Sequence, residues 1–235
     1  MKKSNHLLIS CAMLLCLLFT TACGLQNDGI DDNDGYDGKV WGKLAIEYVP
    51  VVHVSDDAMV NIADWIPSAY IDLMYATNDN FTGEVIYNFT SAYLRYGTVK
   101  KLIEVQKKLN HQGYSLKFCD AFRPVSAQFK LWEIVPDPNF VADPYHGYST
   151  HSRGNTVDIT LVTTAGDPVE MPTEVDTFSP LADRDYSDVS EEAASNAMLL
   201  QNIMVDAGFK TSSMEWWHYY DTVSYPVAND FVPVE

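Results

Sequence analysis

Positive charge is what this chain is short of. Fifteen Lys and Arg stand against 32 Asp and Glu, so the formal net charge is −17. Nucleic-acid binding rests on cations that neutralise phosphates, so no nucleic-acid partner is expected, and adsorption to anionic membrane surfaces is disfavoured for the same reason. Cysteine is equally sparse. Of the four present, Cys11, Cys16 and Cys23 all fall near the N-terminus, and Cys119 alone remains in the body of the chain. No disulfide can then staple that body. Cys119, next to Phe118, is expected to serve as a small buried apolar residue, not as a nucleophile. There is no internal repeat. The apolar stretch from Leu7 to Phe19 is too short to span a bilayer comfortably, since a spanning helix needs about 20 residues.

What is present divides the 235 residues into three parts. Lys2 and Lys3, the apolar stretch and the small residues Thr20, Thr21 and Ala22 read as a targeting segment, 1–22. With Cys23 behind it, this segment resembles a bacterial lipoprotein signal, in which the Cys becomes the lipid-bearing first residue. Thr20 departs from the Leu usual at its position, and an ordinary secretory peptide is the alternative. Both readings make the protein exported, and the first makes it a membrane-tethered lipoprotein whose only membrane contact is the anchor. Residues 24–38, rich in Asp, Asn and Gly, cannot bury enough apolar surface to offset chain entropy, so 23–39 reads as an acidic tether. Asp28, Asp32 and Asp34 lack the ligand spacing and terminal Glu of a calcium loop. The remainder, 40–235, is one domain with ample apolar material for a core.

Within it, the alternation over 69–75 predicts a strand. A helix is expected from Thr90 or Ser91 to Asn110, with Leu94, Val99, Leu102, Ile103, Val105 and Leu109 as its apolar positions and Gly113 beyond its end. Ser115–Cys119 reads as a strand. Pro124 marks a helix start, with Val125, Phe129, Leu131 and Trp132 as the buried face. Val157–Thr163 is β-rich, 191–207 is helical with Ser190 as cap and Gly208 as stop, and 214–220 is aromatic and strand-like. Helices and short strands interleave irregularly, which points to an α+β fold with a small antiparallel sheet packed against helices.

Two segments carry chemistry: Ser149-Thr150-His151-Ser152-Arg153-Gly154-Asn155-Thr156-Val157-Asp158 and Glu215-Trp216-Trp217-His218. Together they offer two imidazoles and two carboxylates. A catalytic zinc takes three protein ligands and leaves the fourth position to water. Two His and one Asp would leave a singly positive Lewis acid, with the second carboxylate free to take a proton. Gly154 lets the chain turn between His151 and the strand of Asp158. Glu215 and His218 are three apart, so they cannot share one face of a regular strand. Both reach one metal only if Glu215 lies at the strand entrance or a bulge. Taken singly, either segment also suits ordinary surface or core residues.

The pattern Ser149-x-His151-x-x-Gly154-x-x-x-Asp158 with Glu215-x-x-His218 resembles the zinc D,D-peptidase superfamily of cell-wall enzymes. Tyr75-Ala76-Thr77, Asn80-Phe81-Thr82-Gly83, Asp120-Ala121-Phe122-Arg123-Pro124, Ser152-Arg153-Gly154 and Glu215-Trp216-Trp217-His218-Tyr219 are similar to blocks of its D-alanyl-D-alanine dipeptidases of vancomycin resistance. They run in the family's order across roughly residues 65–222. Thr156 departs from the family's usual Ala and Phe122 from its frequent Tyr.

The resemblance implies one Zn2+ per chain held by His151, Asp158 and His218. It implies Glu215 as base and then acid to the leaving amine, and Arg123 as the group that meets the oxyanion. It implies substrate contacts from Ser149, from Asp176 to a free ammonium, and from Tyr75 in the same subsite. His53, His111 and His146 match no ligand position. The expected partner is a small D,D-dipeptide, hydrolysed to two D-alanines during cell-wall turnover, and no obligate protein partner is evident. The alternatives are a D,D- or L,D-carboxypeptidase acting on peptidoglycan stem peptides, and a non-catalytic module that binds wall fragments.

Overall fold

The computed structural model describes residues 53–138 and 141–234. The expected signal, the Cys23 anchor, the tether and the domain start at residue 40 lie outside the described residues. The elements in order are β1 (Met59–Asn61), α1 (Ile62–Trp65), β2 (Tyr70–Ile71), β3 (Tyr93–Arg95), α2 (Tyr96–Asn110), β4 (Tyr114–Asp120), α3 (Val125–Ile134), β5 (Thr156–Thr163), α4 (Glu191–Asp206), β6 (Phe209–Thr211) and β7 (His218–Asp221). Short 3-10 turns intervene. Five strands form one sheet in the order β2-β4-β5-β7-β6, and β1 pairs with β3 separately. Pairing is antiparallel except where β2 joins β4 in parallel. The architecture is the expected α+β.

The two long helices owe their form to pattern and caps. In α4 the buried positions are Ala193, Asn196, Ala197, Leu200, Ile203 and Met204, the spacing of one helical face. Ser190 Oγ accepts from the Ala193 amide at 3.0 Å, and Gly208 follows the helix with φ +91°. In α2, Val99, Leu102, Val105 and Leu109 are fully buried, and Gly113 turns the chain with φ +85°. Leu94 belongs to β3, because that short strand pairs with β1 before the helix begins.

Three local expectations shift. The strand expected over 69–75 shrinks to Tyr70–Ile71 and gives way to a 3-10 turn at Met74–Ala76. There the Tyr75 carbonyl accepts from both the Ile86 and Tyr87 amides, a tertiary contact that outweighs local alternation. In α3 the buried residues are Ala127, Gln128 and Leu131, whereas Val125, Phe129 and Trp132 are half-buried. Gln128 is drawn inward by Arg123. The aromatic run at 214–220 is a strand only from His218.

The sheet has two functions on two faces. Along β5, Val157, Ile159 and Leu161 enter one apolar cluster with Leu102, Leu109, Leu200 and Met204 of α2 and α4. Asp158 therefore stands on the opposite face. In β4, Phe118 pairs with Ile159, but the register then slips by one, so that Asp120 opposes Asp158. Cys119 is the extra residue of this bulge. The slip turns Asp120 away from the core face of Phe118 and onto the face of Asp158.

Candidate metal and catalytic site

Asp120, Asp158 and His218 form a row across three strands, since Asp120 opposes Asp158 and Asp158 opposes His218. Two acids directly opposite each other repel unless cations intervene. Arg123 supplies the first cation. Its Nε and Nη2 donate to Asp120 Oδ2 at 2.9 and 2.6 Å, and Nη2 stands 3.8 Å from Asp158 Oδ2. The other Asp120 oxygen accepts from Tyr87 Oη and the Ala121 amide.

His151 arrives from the 3-10 turn Thr150–Arg153, which Ser149 caps by accepting from the His151 amide. Gly154 ends that turn with φ +73°, and a Cβ there would lie 2.6 Å from the Met59 sulfur. The backbone angle is what favours glycine, since the Met59 thioether is the flexible end of a side chain and can move aside. His151 Nδ1 faces the Ala121 carbonyl at 2.8 Å, which makes Nδ1 the donor and leaves Nε2 its lone pair. That Nε2 is 3.3 Å from Asp158 Oδ2. From the other side, His218 Nδ1 is 2.9 Å from Asp158 Oδ1.

His151, Asp158 and His218 offer ligand atoms that all lie within 4.8 Å of one another, the one such trio among the described residues. Glu215 sits ahead of β7, at the strand entrance, with Oε2 3.7 Å from His218 Nδ1. That position resolves the three-residue spacing: base candidate and ligand candidate need not share a strand face. His53, His111 and His146 are exposed and take no part.

The remaining candidates converge on the same cavity, about 110 Å³, lined among others by Tyr75, Arg123, Ser149, Asp176, Glu215 and His218. The Arg123 guanidinium lies 4.9 Å from the centre of the Tyr75 ring. Tyr75 Oη donates a short hydrogen bond to Asp176. Asp176 is held at φ +59°, the one residue other than glycine with positive φ among those described. A larger open groove of about 790 Å³ runs beside α2, but its Lys100 and Lys101 are paired with Asp56 and Asp221, and none of the groups above reaches it.

The electrostatics sort the carboxylates into different states. Burial alone would raise Asp158, but the imidazoles of His151 and His218 more than offset it and hold the carboxyl well below its ordinary range. Burial lowers His151, and the adjoining Asp158 reverses that to a net rise. Burial raises Glu215, which keeps a basic carboxylate beside the cluster. Burial and the nearby Asp158 push Asp176 up to about 7. Burial also drives the Cys119 thiol far up, so it is inert, as expected of a small core residue. The Thr156 hydroxyl, at the position where Ala was expected, is buried with no hydrogen-bond partner among the described residues, and nothing in the structure explains it.

Sequence reasoning overlooked two groups. Asp120 was seen only as part of a motif, yet it ties Arg123 to His151, whose Nδ1 is 3.5 Å from Asp120 Oδ2. Arg184 was not singled out at all, although it holds the main chain of both Glu215 and His218. An Asp three residues before the Arg123-Pro124 pair could have flagged the first; no sequence signal marks the second.

The profile of a peptidase family described as D-ala-D-ala dipeptidase matches residues 55–234. A D-alanyl-D-alanine dipeptidase of Escherichia coli (strain K12) is 34% identical over 174 residues, 73% of this chain and 90% of that protein. One from Enterococcus faecium is 32% identical over 168 residues, 63% of this chain and 83% of that protein. A solved structure described as VanYB in complex with D-alanine-D-alanine matches at 16% identity and a TM-score of 0.36, over 59% of this chain and 74% of that one. A likeness that slight carries no weight.

Proposed function

The chain belongs to the D-ala-D-ala dipeptidase family of peptidases, and on that premise we propose that it is a zinc-dependent hydrolase that splits free D-alanyl-D-alanine into two D-alanines. The observation that carries the reading is the convergence of His151, Asp158 and His218, with Glu215 beside them and Arg123 across the same small cavity. The donors suit zinc. Two ligands of one zinc stand roughly 3.3 Å apart, against 3.3 Å from His151 Nε2 to Asp158 Oδ2 and 2.9 Å from His218 Nδ1 to Asp158 Oδ1. Nitrogen and carboxylate donors, with the His151 tautomer set by a carbonyl behind it, match that metal's preference.

Zinc, when bound, supplies Lewis acidity toward the scissile carbonyl and the attacking water. The chain's own residues do the rest. Glu215 takes the proton from the attacking water and passes it to the leaving amine, and its raised basicity suits both transfers. Arg123, fixed by Asp120 and Gln128, presents a guanidinium that meets the negative charge growing on the carbonyl oxygen. Asp176, oriented by Tyr75, receives the substrate's free ammonium, which restores a full charge to a carboxyl that burial has made reluctant to ionise. Ser149 Oγ accepts from the His151 amide and keeps its own hydrogen for the substrate.

A cavity of about 110 Å³ is far below the 300–1,000 Å³ typical of larger ligands, and its lining includes the half-buried carboxyl of Asp176, which suits a free ammonium. Both features favour an unblocked dipeptide over a stem peptide. The reading extends to location: Lys2, Lys3, the apolar stretch and Cys23 support an exported, lipid-anchored protein that acts on dipeptide released by wall turnover.

The test loads purified full-length protein with zinc and measures metal content and turnover. The substrates are D-Ala-D-Ala, L-Ala-L-Ala, N-acetyl-D-Ala-D-Ala and a longer peptide ending in D-Ala-D-Ala. One zinc per chain and clear preference for the free D,D-dipeptide are expected. Equal cleavage of the longer peptide would make it a carboxypeptidase, and zinc binding without turnover would make it a binding module. In cells, labelled lipid should be incorporated into the wild type and not into Cys23→Ser; equal labelling removes the anchor.

A further inference from the structure

His218 opens β7, where it opposes Asp158, but Glu215 has no strand to hold it. Glu215 lies on the turn before β7, and neither side chain is fully buried: their side-chain exposures are 29% and 18%. Within the span itself only a long bond joins them, from the His218 amide to the Glu215 carbonyl at 3.4 Å. The side chain that touches both from behind is Arg184, on the chain ahead of α4. One of its terminal nitrogens, Nη2, donates to the Glu215 carbonyl at 3.0 Å and to the His218 carbonyl at 3.1 Å. Its Nε donates to the Ser212 carbonyl at 2.6 Å. The other nitrogen, Nη1, donates to Gln201 Oε1 of α4, to Tyr186 Oη and to Tyr219 Oη. The guanidinium also lies 4.7 Å from the centre of the Tyr219 ring.

Every one of these acceptors is a neutral oxygen. Among the described residues no carboxylate comes within ion-pair distance of Arg184, so this charge is not there to neutralise an acid. It does not line the cavity either. Its planar fork instead joins three carbonyls of the 212–218 span to one side chain of α4. A guanidinium holds its donors in a fixed plane, so the span bearing Glu215 and His218 is locked to a helix rooted in the core. A lysine has a single rotatable donor head and cannot reproduce the fork.

We propose that Arg184 is a positioning residue, which sets the distance between the Glu215 carboxylate and the His218 imidazole by clamping the main-chain carbonyls of both. The proposal rests on the reading of Glu215 as base and His218 as metal ligand. It acts on the chemical step and on the grip of the metal, not on substrate affinity, because Arg184 reaches no surface the substrate meets.

The test uses the full-length protein with Arg184→Lys and Arg184→Ala. For each, kcat and KM on D-Ala-D-Ala, zinc affinity by chelator competition, and Tm are measured. Orienting residues behind a metal site are worth about 10- to 100-fold. Arg184→Lys, which keeps charge and most of the bulk, should fold, lose kcat by about that factor with KM little changed, and bind zinc about 10-fold more weakly. Arg184→Ala should lose more, and millimolar guanidinium should restore part of its kcat. Wild-type kcat and zinc affinity in Arg184→Lys would overturn the proposal. So would a rise in KM at constant kcat, or a loss in Arg184→Ala that follows only the unfolded fraction. If the wild type itself fails to cleave D-Ala-D-Ala, the functional reading falls, while the zinc-affinity arm still judges the clamp.

Discussion

The two halves of the site are held in opposite ways. Asp120, Arg123, His151 and Asp158 are all buried, and their side chains bind one another directly. Glu215 and His218 are part-exposed; the His218 ring meets Asp158 at 2.9 Å, but what grips both residues together is Arg184, through their main chain from behind. The difference fits the roles proposed for each half. Metal ligands and an oxyanion donor, the roles proposed for Asp158, His151 and Arg123, gain from being rigid and dry, where charges act at close range and need no rearrangement. A base must meet water and a leaving amine, so its carboxylate cannot be enclosed by partners. Stiffness there has to come through the backbone.

Damage to the two halves should therefore look different. Glu215→Ala carries the largest expected effect on rate. Removing the proposed base should lower kcat by about 10²–10⁴-fold while zinc content and Tm stay at wild-type values. Burial raises Glu215, and its one ion pair is a long one, 3.7 Å to His218 Nδ1 with both side chains part-exposed, so the fold loses little by its removal. Metal analysis, calorimetry and single-turnover kinetics on one preparation decide it. Loss of zinc along with rate would show that the base half is also structural. Arg123→Lys should cost less rate, about 10²–10³-fold, but also stability. Lysine keeps the charge and loses the paired contact to Asp120 and the bond to Gln128, for about 2 kcal/mol of unfolding free energy. A rate loss with unchanged Tm would erase the contrast between the halves.

The same contrast explains what could be read from the sequence. In the buried half, His151 and Asp158 lie in one ten-residue segment whose residue types and spacing point to a metal, whereas Arg123 takes its role from the family resemblance and Asp120 was overlooked. Helix α4 was plainer, because Ser190 and Gly208 bracket a face that is apolar except for Asn196. The other half was harder. Glu215 and His218 were visible, but their geometry depends on where β7 begins, which aromatic content alone placed too early. Arg184 was invisible because its partners are carbonyls, and every residue has one. The bulge at Cys119 left no mark either: a one-residue slip changes which face Asp120 occupies without changing its spacing from Arg123. In α3, periodicity favoured Phe129 and Trp132 for the interior, but a buried guanidinium needed an acceptor and Gln128 took the place.

The smallest effect tests whether the exposed half depends on Arg184 in particular or on α4 as a whole. Gln201, which accepts from Arg184, sits well along that helix, far from its capped start. Ser190 Oγ satisfies the Ala193 amide at the first turn, and its loss costs about 1 kcal/mol. For a domain of this size that corresponds to a fall in Tm of about 2–4 °C. Ser190→Ala frays only the first turn, so Gln201, Arg184 and the carbonyls of Glu215 and His218 should keep their contacts. Tm should fall while kcat, KM and zinc affinity match the wild type. A matching fall in kcat would mean that the helix transmits small disturbances along its whole length to the base, and the backbone grip would then belong to α4 and not to one guanidinium.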